Sequence, residues 1–184
     1  MLRLNLGSGA SPRAGYVNVD KHGSPDLKWD LECFPWPWET GSVDEVVLSH
    51  VLEHLGAAPA QFIAVMKELY RVCRDAAQIH VRVPHPRHDF FLADPTHVRP
   101  ILPATLELFS RRRNLEWQAS GAPNTPLALY HGVDFEIEDT SLLLDEPYRT
   151  QLKEGRITQD EAQALVARYN NVASEVRITL RVRK

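Results

Sequence analysis

Apolar and polar residues alternate along several short runs of this chain, and glycine, proline or acidic turns separate them. Leu2-Arg3-Leu4-Asn5-Leu6 alternates and stops at Gly7-Ser8-Gly9, the period-two pattern of a strand entering a glycine turn. The same pattern predicts strands at 16–20, 26–30, 43–49 and 77–83, the last ending at Pro84. Between the fourth and fifth the period changes. Pro59 suits a first helical turn, and Phe62, Ile63, Val65, Met66, Leu69, Tyr70 and Cys73 recur at helical spacing, which predicts a helix over 59–74 with one apolar face.

From 84 to about 132 the chain becomes polar and rich in histidine, with one helix expected near 103–113. A connection of that length is usually functional or mobile. A sixth strand is expected at 133–138 and one or two helices within 146–169. Glu175-Val176-Arg177-Ile178-Thr179-Leu180-Arg181-Val182 alternates cleanly as a last strand. Strands alternating with connections build a parallel sheet with helices on its faces. Cys33-Phe34-Pro35-Trp36-Pro37-Trp38 is too rich in proline for a helix or a central strand and reads as an ordered loop.

A length of 184 residues suits one domain, 1–184, around one core. A net charge of −3 argues against a surface built for a polyanion, so no nucleic-acid partner is expected. Arg111-Arg112-Arg113 reads as the basic end of a helix, complementing its dipole. The two cysteines, Cys33 and Cys73, match no zinc or redox spacing, and Cys73 falls on the apolar helix face. A reduced, cytoplasmic setting is the default, and with no leader pattern or bilayer-length apolar run, no membrane partner is expected.

The chemistry begins at the first turn. Glycines let a backbone approach a ligand closely, and Asp20, thirteen residues after Gly7, ends the second strand where a carboxylate can accept both hydroxyls of a ribose. A dinucleotide site would need a third glycine, where Pro12 stands, and a helix opening on the turn. Ser11-Pro12-Arg13-Ala14-Gly15 leaves room for one helical turn at most, so a pyrophosphate would lose its dipole and amide partners. A nucleoside ligand without phosphates fits better.

Leu4-Asn5-Leu6-Gly7-Ser8-Gly9, Gly15-Tyr16-Val17-Asn18-Val19-Asp20, Asp30-Leu31, Phe34-Pro35-Trp36-Pro37 and the run from Ser42 to Leu55 follow in order. Over about residues 2–83 this chain resembles class I S-adenosylmethionine-dependent methyltransferases, in particular short members like methyltransferase type 11. The resemblance implies a Rossmann-like α/β fold: a seven-stranded, mostly parallel sheet with one antiparallel strand, the last, and helices on both faces. It implies a cofactor half at about 1–83 and an acceptor-side insertion at about 84–132. Gly7, Ser8 and Gly9 would wrap the methionine half of S-adenosyl-L-methionine, Asp20 the ribose, and Asp30 and Leu31 the adenine. Asn5, Lys21, Ser49 and His50 complete the implied cofactor contacts, and Phe34 and Trp36 either line the base or cover the sheet edge. Asn5 stands where the family often has an acid, and Ala10 where it has a third glycine. The chain starts directly at its first strand, so a lid of the kind many relatives carry before it must come from elsewhere or be missing.

Methyl transfer needs alignment and exclusion of water, and a base only where the acceptor must lose a proton. His85, His88 and His97, with Asp89, Asp94 and Arg99, follow the fifth strand at the ligand-binding edge. These three histidines and His50 are the candidate catalytic residues. His50 reads equally as a wall or base of the cofactor site and as a cap on the following helix; His54 reads as structural. His50-Val51-Leu52-Glu53-His54 also spells H-x-x-E-H, a zinc-peptidase signature. An apolar strand running straight into His50 places it at the helix start rather than inside it, and no metal is expected. The function anticipated is methyl transfer to oxygen or nitrogen of a small-molecule or glycan-like acceptor. Its alternatives are a non-catalytic protein binding the same cofactor and a zinc-dependent hydrolase using His50, Glu53 and His54.

Overall fold

A computed structural model describes residues 1–184. Seven strands form one sheet: β1 (Arg3–Leu6), β2 (Val17–Asp20), β3 (Leu27–Lys28), β4 (Val43–Ser49), β5 (Cys73–Pro84), β6 (Phe135–Leu144) and β7 (Ala173–Val182). Their order is β3-β2-β1-β4-β5-β7-β6. The pairs β3–β2, β2–β1, β1–β4 and β4–β5 are parallel, and β7 runs antiparallel to both neighbours. The last strand is therefore the antiparallel one, as expected. The order reverses between β1 and β4, and the crevice outside the carboxyl ends of strands at such a switch point is where open α/β sheets bind ligands.

Register explains the alternation. Leu4, Val46, Ile79 and Leu180 lie side by side across four strands, as do Leu6, Leu48, Val81 and Ile178, and all eight are essentially fully buried. Helix α1 (Pro59–Val72) buries Phe62, Val65, Met66, Leu69 and Val72, each contributing about 1.5–3 kcal/mol. Periodicity carries the helix to 74, but Cys73 pairs with Val43 and turns extended, so strand β5 begins directly at the helix end. Cys73 stays fully buried.

Cover of the two faces is unequal. The row Arg3, Glu45, Gln78, Arg181 and Glu136 runs across the opposite face. Tyr16 lies over Arg3 there and donates to Glu45 at 2.5 Å. No helix occurs in the connections β1–β2, β2–β3 or β3–β4, and the polar row stays partly exposed.

The remaining helices are α2 (Asp89–Leu92), α3 (Pro103–Glu107), α4 (Arg111–Ser120), α5 (Leu127–His131), α6 (Tyr148–Lys153) and α7 (Gln159–Arg168). The helix expected near 103–113 is two helices. Ser110 is extended and its hydroxyl accepts from the Arg113 amide, capping a new helix. Arg111–Arg113 therefore open α4 rather than close a helix, against the dipole; Arg112 pairs with Glu116 and Glu136 and Arg113 with Glu116, each at 2.7 Å. The third strand shrinks to two residues because the Asp26 carboxylate takes both the backbone and side-chain N–H of Asn18, each at 2.8 Å. These bonds hold Asp26 below the usual carboxylate range. The sixth strand runs past 138 to Leu144, paired with β7 throughout. No helix is long and apolar enough to cross a membrane.

Candidate active site

The cleft begins where β1 ends. The amides of Gly7 and Ser8 both donate to the Val19 carbonyl, at 2.8 and 3.0 Å, clamping the glycine turn to β2. Gly7 has φ +67, and a Cβ built there would lie 2.3 Å from Val51 Cγ2. No other residue fits that position without displacing Val51. At the tip of β2, Asp20 Oδ2 accepts from Gly9 N at 2.9 Å and Oδ1 from His22 N at 2.8 Å. One carboxylate thus arranges both loops that meet at the strand ends, with a lone pair on each oxygen still available.

Asn5 does different work from that expected. It is buried, and its side-chain amide donates to Asn18 Oδ1 at 2.9 Å and to the Ser11 carbonyl at 3.2 Å. Asn18 Oδ1 also accepts from Arg13 N at 2.7 Å. These asparagines brace the helix-free connection 7–16 from beneath.

A cavity of about 290 Å³ opens at the switch point, lined by Gly7, Gly9, Asp20, Lys21, His22, Trp29, Asp30, Leu31, His50, Val51, His54 and Leu55. Of the expected cofactor contacts it gathers Gly7, Gly9, Asp20, Lys21, Asp30, Leu31 and His50, while Asn5, Ser8 and Ser49 lie outside its wall. Asp30 Oδ1 accepts from Glu32 N at 3.0 Å, and Lys21 Nζ stands 3.9 Å from Asp30 Oδ2. The aromatic wall is Trp29. Trp36 is buried in the core and its indole N–H donates to the Leu31 carbonyl at 3.0 Å; Phe34 is absent from the lining. The signal for Trp29 in the sequence is its place directly before Asp30.

His50 neither caps nor enters a helix. It sits at φ 55, in the left-handed region, and the following 3-10 turn covers only Leu52–His54 with Val51 before it. That backbone costs about 1–2 kcal/mol for a residue with a Cβ. Its ring lies between two carboxylates, Nε2 at 2.9 Å from Glu175 Oε2 and Nδ1 at 3.6 Å from Glu53 Oε1. Glu53 foremost, and Glu175, raise the His50 pKa above its ordinary value, while partial burial opposes them. Glu175 reaches the site from β7 and also binds Arg177 Nε at 2.5 Å. Its signal in the sequence was an acid opening an otherwise alternating strand.

The three later histidines form no single cluster. His85 is buried and faces a separate cavity of about 480 Å³ with Leu142, Leu144, Ala162 and Val166. Burial first, then Arg87 and His88, push its pKa down. His88 is internal: Nδ1 accepts from Phe90 N at 3.1 Å, capping α2, and Nε2 binds Asp145 Oδ2 at 3.0 Å. His97 alone approaches the cleft, its ring 4.6 Å from that of the cavity-lining His54. Nor are the letters H-x-x-E-H realised as in a peptidase, because His50 and His54 share no helix.

No protein-family model matches the chain, and no curated protein matches it either. Solved structures do. A SAM-dependent methyltransferase from Archaeoglobus fulgidus is 17% identical, over 97% of this chain and 85% of that one, with a TM-score of 0.58. The 1,6-didemethyltoxoflavin-N1-methyltransferase of Burkholderia thailandensis, solved with 1,6-didemethyltoxoflavin and S-adenosylhomocysteine bound, is 9% identical over 100% and 71%, at 0.54. A SAM-dependent methyltransferase of Methanosarcina mazei is 13% identical over 99% and 92%, at 0.53. The chain has the Rossmann-like fold of class I SAM-dependent methyltransferases. At these identities the likeness is one of fold, and the site must argue for its own chemistry.

Proposed function

We propose that this protein binds S-adenosyl-L-methionine in the cleft between the glycine turn and Asp20 and transfers its methyl group to oxygen or nitrogen of a small-molecule or glycan-like acceptor. One observation carries the reading: a strand-tip carboxylate beside a bare glycine backbone at the switch point, with no helix opening on that turn. A phosphate would find no helix N-terminus there, whereas a ribose finds the free lone pairs of Asp20. The residues fit the cofactor, since Gly9 lines the cavity and a Cβ there would meet no protein atom within 4 Å.

When bound, the cofactor supplies an electrophilic methyl on sulfur. Gly7 and Gly9 would carry the amino-acid end, Asp20 the ribose, and Trp29, Asp30 and Leu31 the base. His50 and His54 form the opposite wall. Held between Glu53 and Glu175, His50 retains its proton to higher pH than a free imidazole, so it would serve as a base only above that raised pKa.

Calorimetric titration with S-adenosylhomocysteine tests the reading. One site is expected, and Asp20→Ala should weaken it at least tenfold, because charge-assisted bonds worth about 1.5–3 kcal/mol are lost. NADH should give no heat. Absence of S-adenosylhomocysteine binding by folded wild-type protein, or equal affinity in folded Asp20→Ala, would overturn it.

A further inference from the structure

Glu53 is fully buried, and neither carboxylate oxygen has a hydrogen-bond partner. A buried carboxylate without bonds is costly, and such groups are ordinarily paired or hold a metal. Two further donors converge on it: one ligand atom each from Glu53, His54 and His97 lie within 4.8 Å of one another. Both imidazoles are already oriented. His97 Nδ1 donates to the Phe91 carbonyl at 2.8 Å, and its ring stacks on Phe91. His54 Nδ1 lies 3.0 Å from Thr96 Oγ1, which itself donates to Asp94 Oδ1 at 2.6 Å. Nδ1 of each ring is thereby engaged while neither Nε2 makes a hydrogen bond, the arrangement that fixes the tautomer of a metal-ligating histidine.

We infer that Glu53, His54 and His97 form a binding site for a divalent first-row cation, with zinc the reference ion. Two imidazoles and one carboxylate suit zinc or iron(II) rather than calcium or magnesium. Bond lengths of 2.0–2.1 Å put tetrahedral ligands roughly 3.3 Å apart, so closure requires side-chain adjustments of about an ångström or more. Three protein ligands leave a coordination position open, and His54 lines the proposed cofactor cavity. The open position would take an oxygen or nitrogen of the acceptor. That role rests on the methyl-transfer reading, while the metal site itself does not.

The charged groups facing the site are few. His50 Nδ1 stands 3.6 Å from Glu53 Oε1, and Asp94 Oδ2 stands 3.8 Å from His97 Nε2. The Arg99 guanidinium is turned to the Gly56 carbonyl at 2.6 Å and the face of Phe62. The competing account is that a protonated His50 alone neutralises Glu53, in which case no metal binds.

The test uses full-length protein without a histidine tag, stripped with chelator and titrated calorimetrically with zinc chloride at neutral pH. One ion per chain is expected at micromolar affinity or tighter. Glu53→Gln should weaken binding at least thirtyfold and His97→Ala at least tenfold, while His131→Gln leaves it unchanged. Zinc should raise the thermal midpoint of the wild type but not of Glu53→Gln. The half-buried His54→Ala serves as the second ligand variant if the fully buried Glu53→Gln fails to fold. No stoichiometric binding to folded wild type, or binding unaffected by every ligand substitution that folds, overturns the site. Titration of the stripped protein with S-adenosylhomocysteine separates the two proposals, because cofactor binding without zinc binding sinks only the metal site.

Discussion

The two glycines that flank Ser8 separate folding from binding in one experiment. Gly7→Ala places a methyl 2.3 Å from Val51 Cγ2 and 2.8 Å from Cγ1, at φ +67. The backbone term costs about 1–2 kcal/mol and overpacking about 1–3 kcal/mol, so a loss of roughly 2–5 kcal/mol is expected. Gly9→Ala has φ +48 but meets nothing within 4 Å, so only the backbone term of about 1–2 kcal/mol applies. Because Gly9 lines the cavity, S-adenosylhomocysteine affinity should fall tenfold or more in a folded protein. Urea denaturation followed by circular dichroism reads the stabilities, and calorimetry the affinities. Val51→Ala opens the space that Gly7→Ala needs, so the double variant should recover about 1–2 kcal/mol relative to additivity. Equal destabilisation by the two glycine variants, or strict additivity with Val51→Ala, would refute the reasoning.

Three further outcomes follow from buried or paired groups. Glu53→Met replaces a buried, unbonded carboxylate with an apolar chain of similar size and should raise the stability of metal-free protein by about 1–3 kcal/mol; a loss of comparable size in urea melts would mean that His50 satisfies the carboxylate. Because the folded-state pKa of His50 is raised, its contribution to stability is fully present below the unfolded value of about 6.5 and is lost as pH rises through the folded value. The stability gap between wild type and His50→Gln should therefore shrink above about pH 6.5, and a gap that widens there would contradict the ion pair with Glu175. The Cys73 thiol is pushed up to about 12 by burial, whereas Cys33 is exposed. A colorimetric thiol reagent should thus titrate one cysteine in native protein and two after unfolding.

What was legible in the sequence was local. Alternation located β1, β4, β5 and β7, helical spacing located α1, and the interval from Gly7 to Asp20 located the two halves of the cleft. The rest depended on partners distant in the chain. Nothing near 26–30 reveals that Asp26 will take the Asn18 amide and shorten β3. Cys73 belongs to the helical pattern until Val43 claims it as a strand residue. The later histidines scatter because residue type carries no direction: His88 turns to Asp145, His85 to another cavity, and His97 to His54.

The helix-free connection ties these observations together. Ten residues, 7–16, join two parallel strands, and at about 3.3 Å per residue they reach roughly 33 Å. The four-residue β2 needs only about 13 Å of return at the same rise, so no helix is required to span the distance. Without one, the loop must be held by other means. Asn5 and Asn18 supply that hold from below and Asp20 from above, through bonds to Ser11, Arg13 and Gly9. The same economy removes the helix N-terminus that would greet a phosphate and leaves a carboxylate in command of the turn. Fold brace and the proposed ligand preference thus share one cause. If Asn5→Ala loosens the turn, S-adenosylhomocysteine affinity should fall together with stability even though Asn5 lies outside the cavity wall.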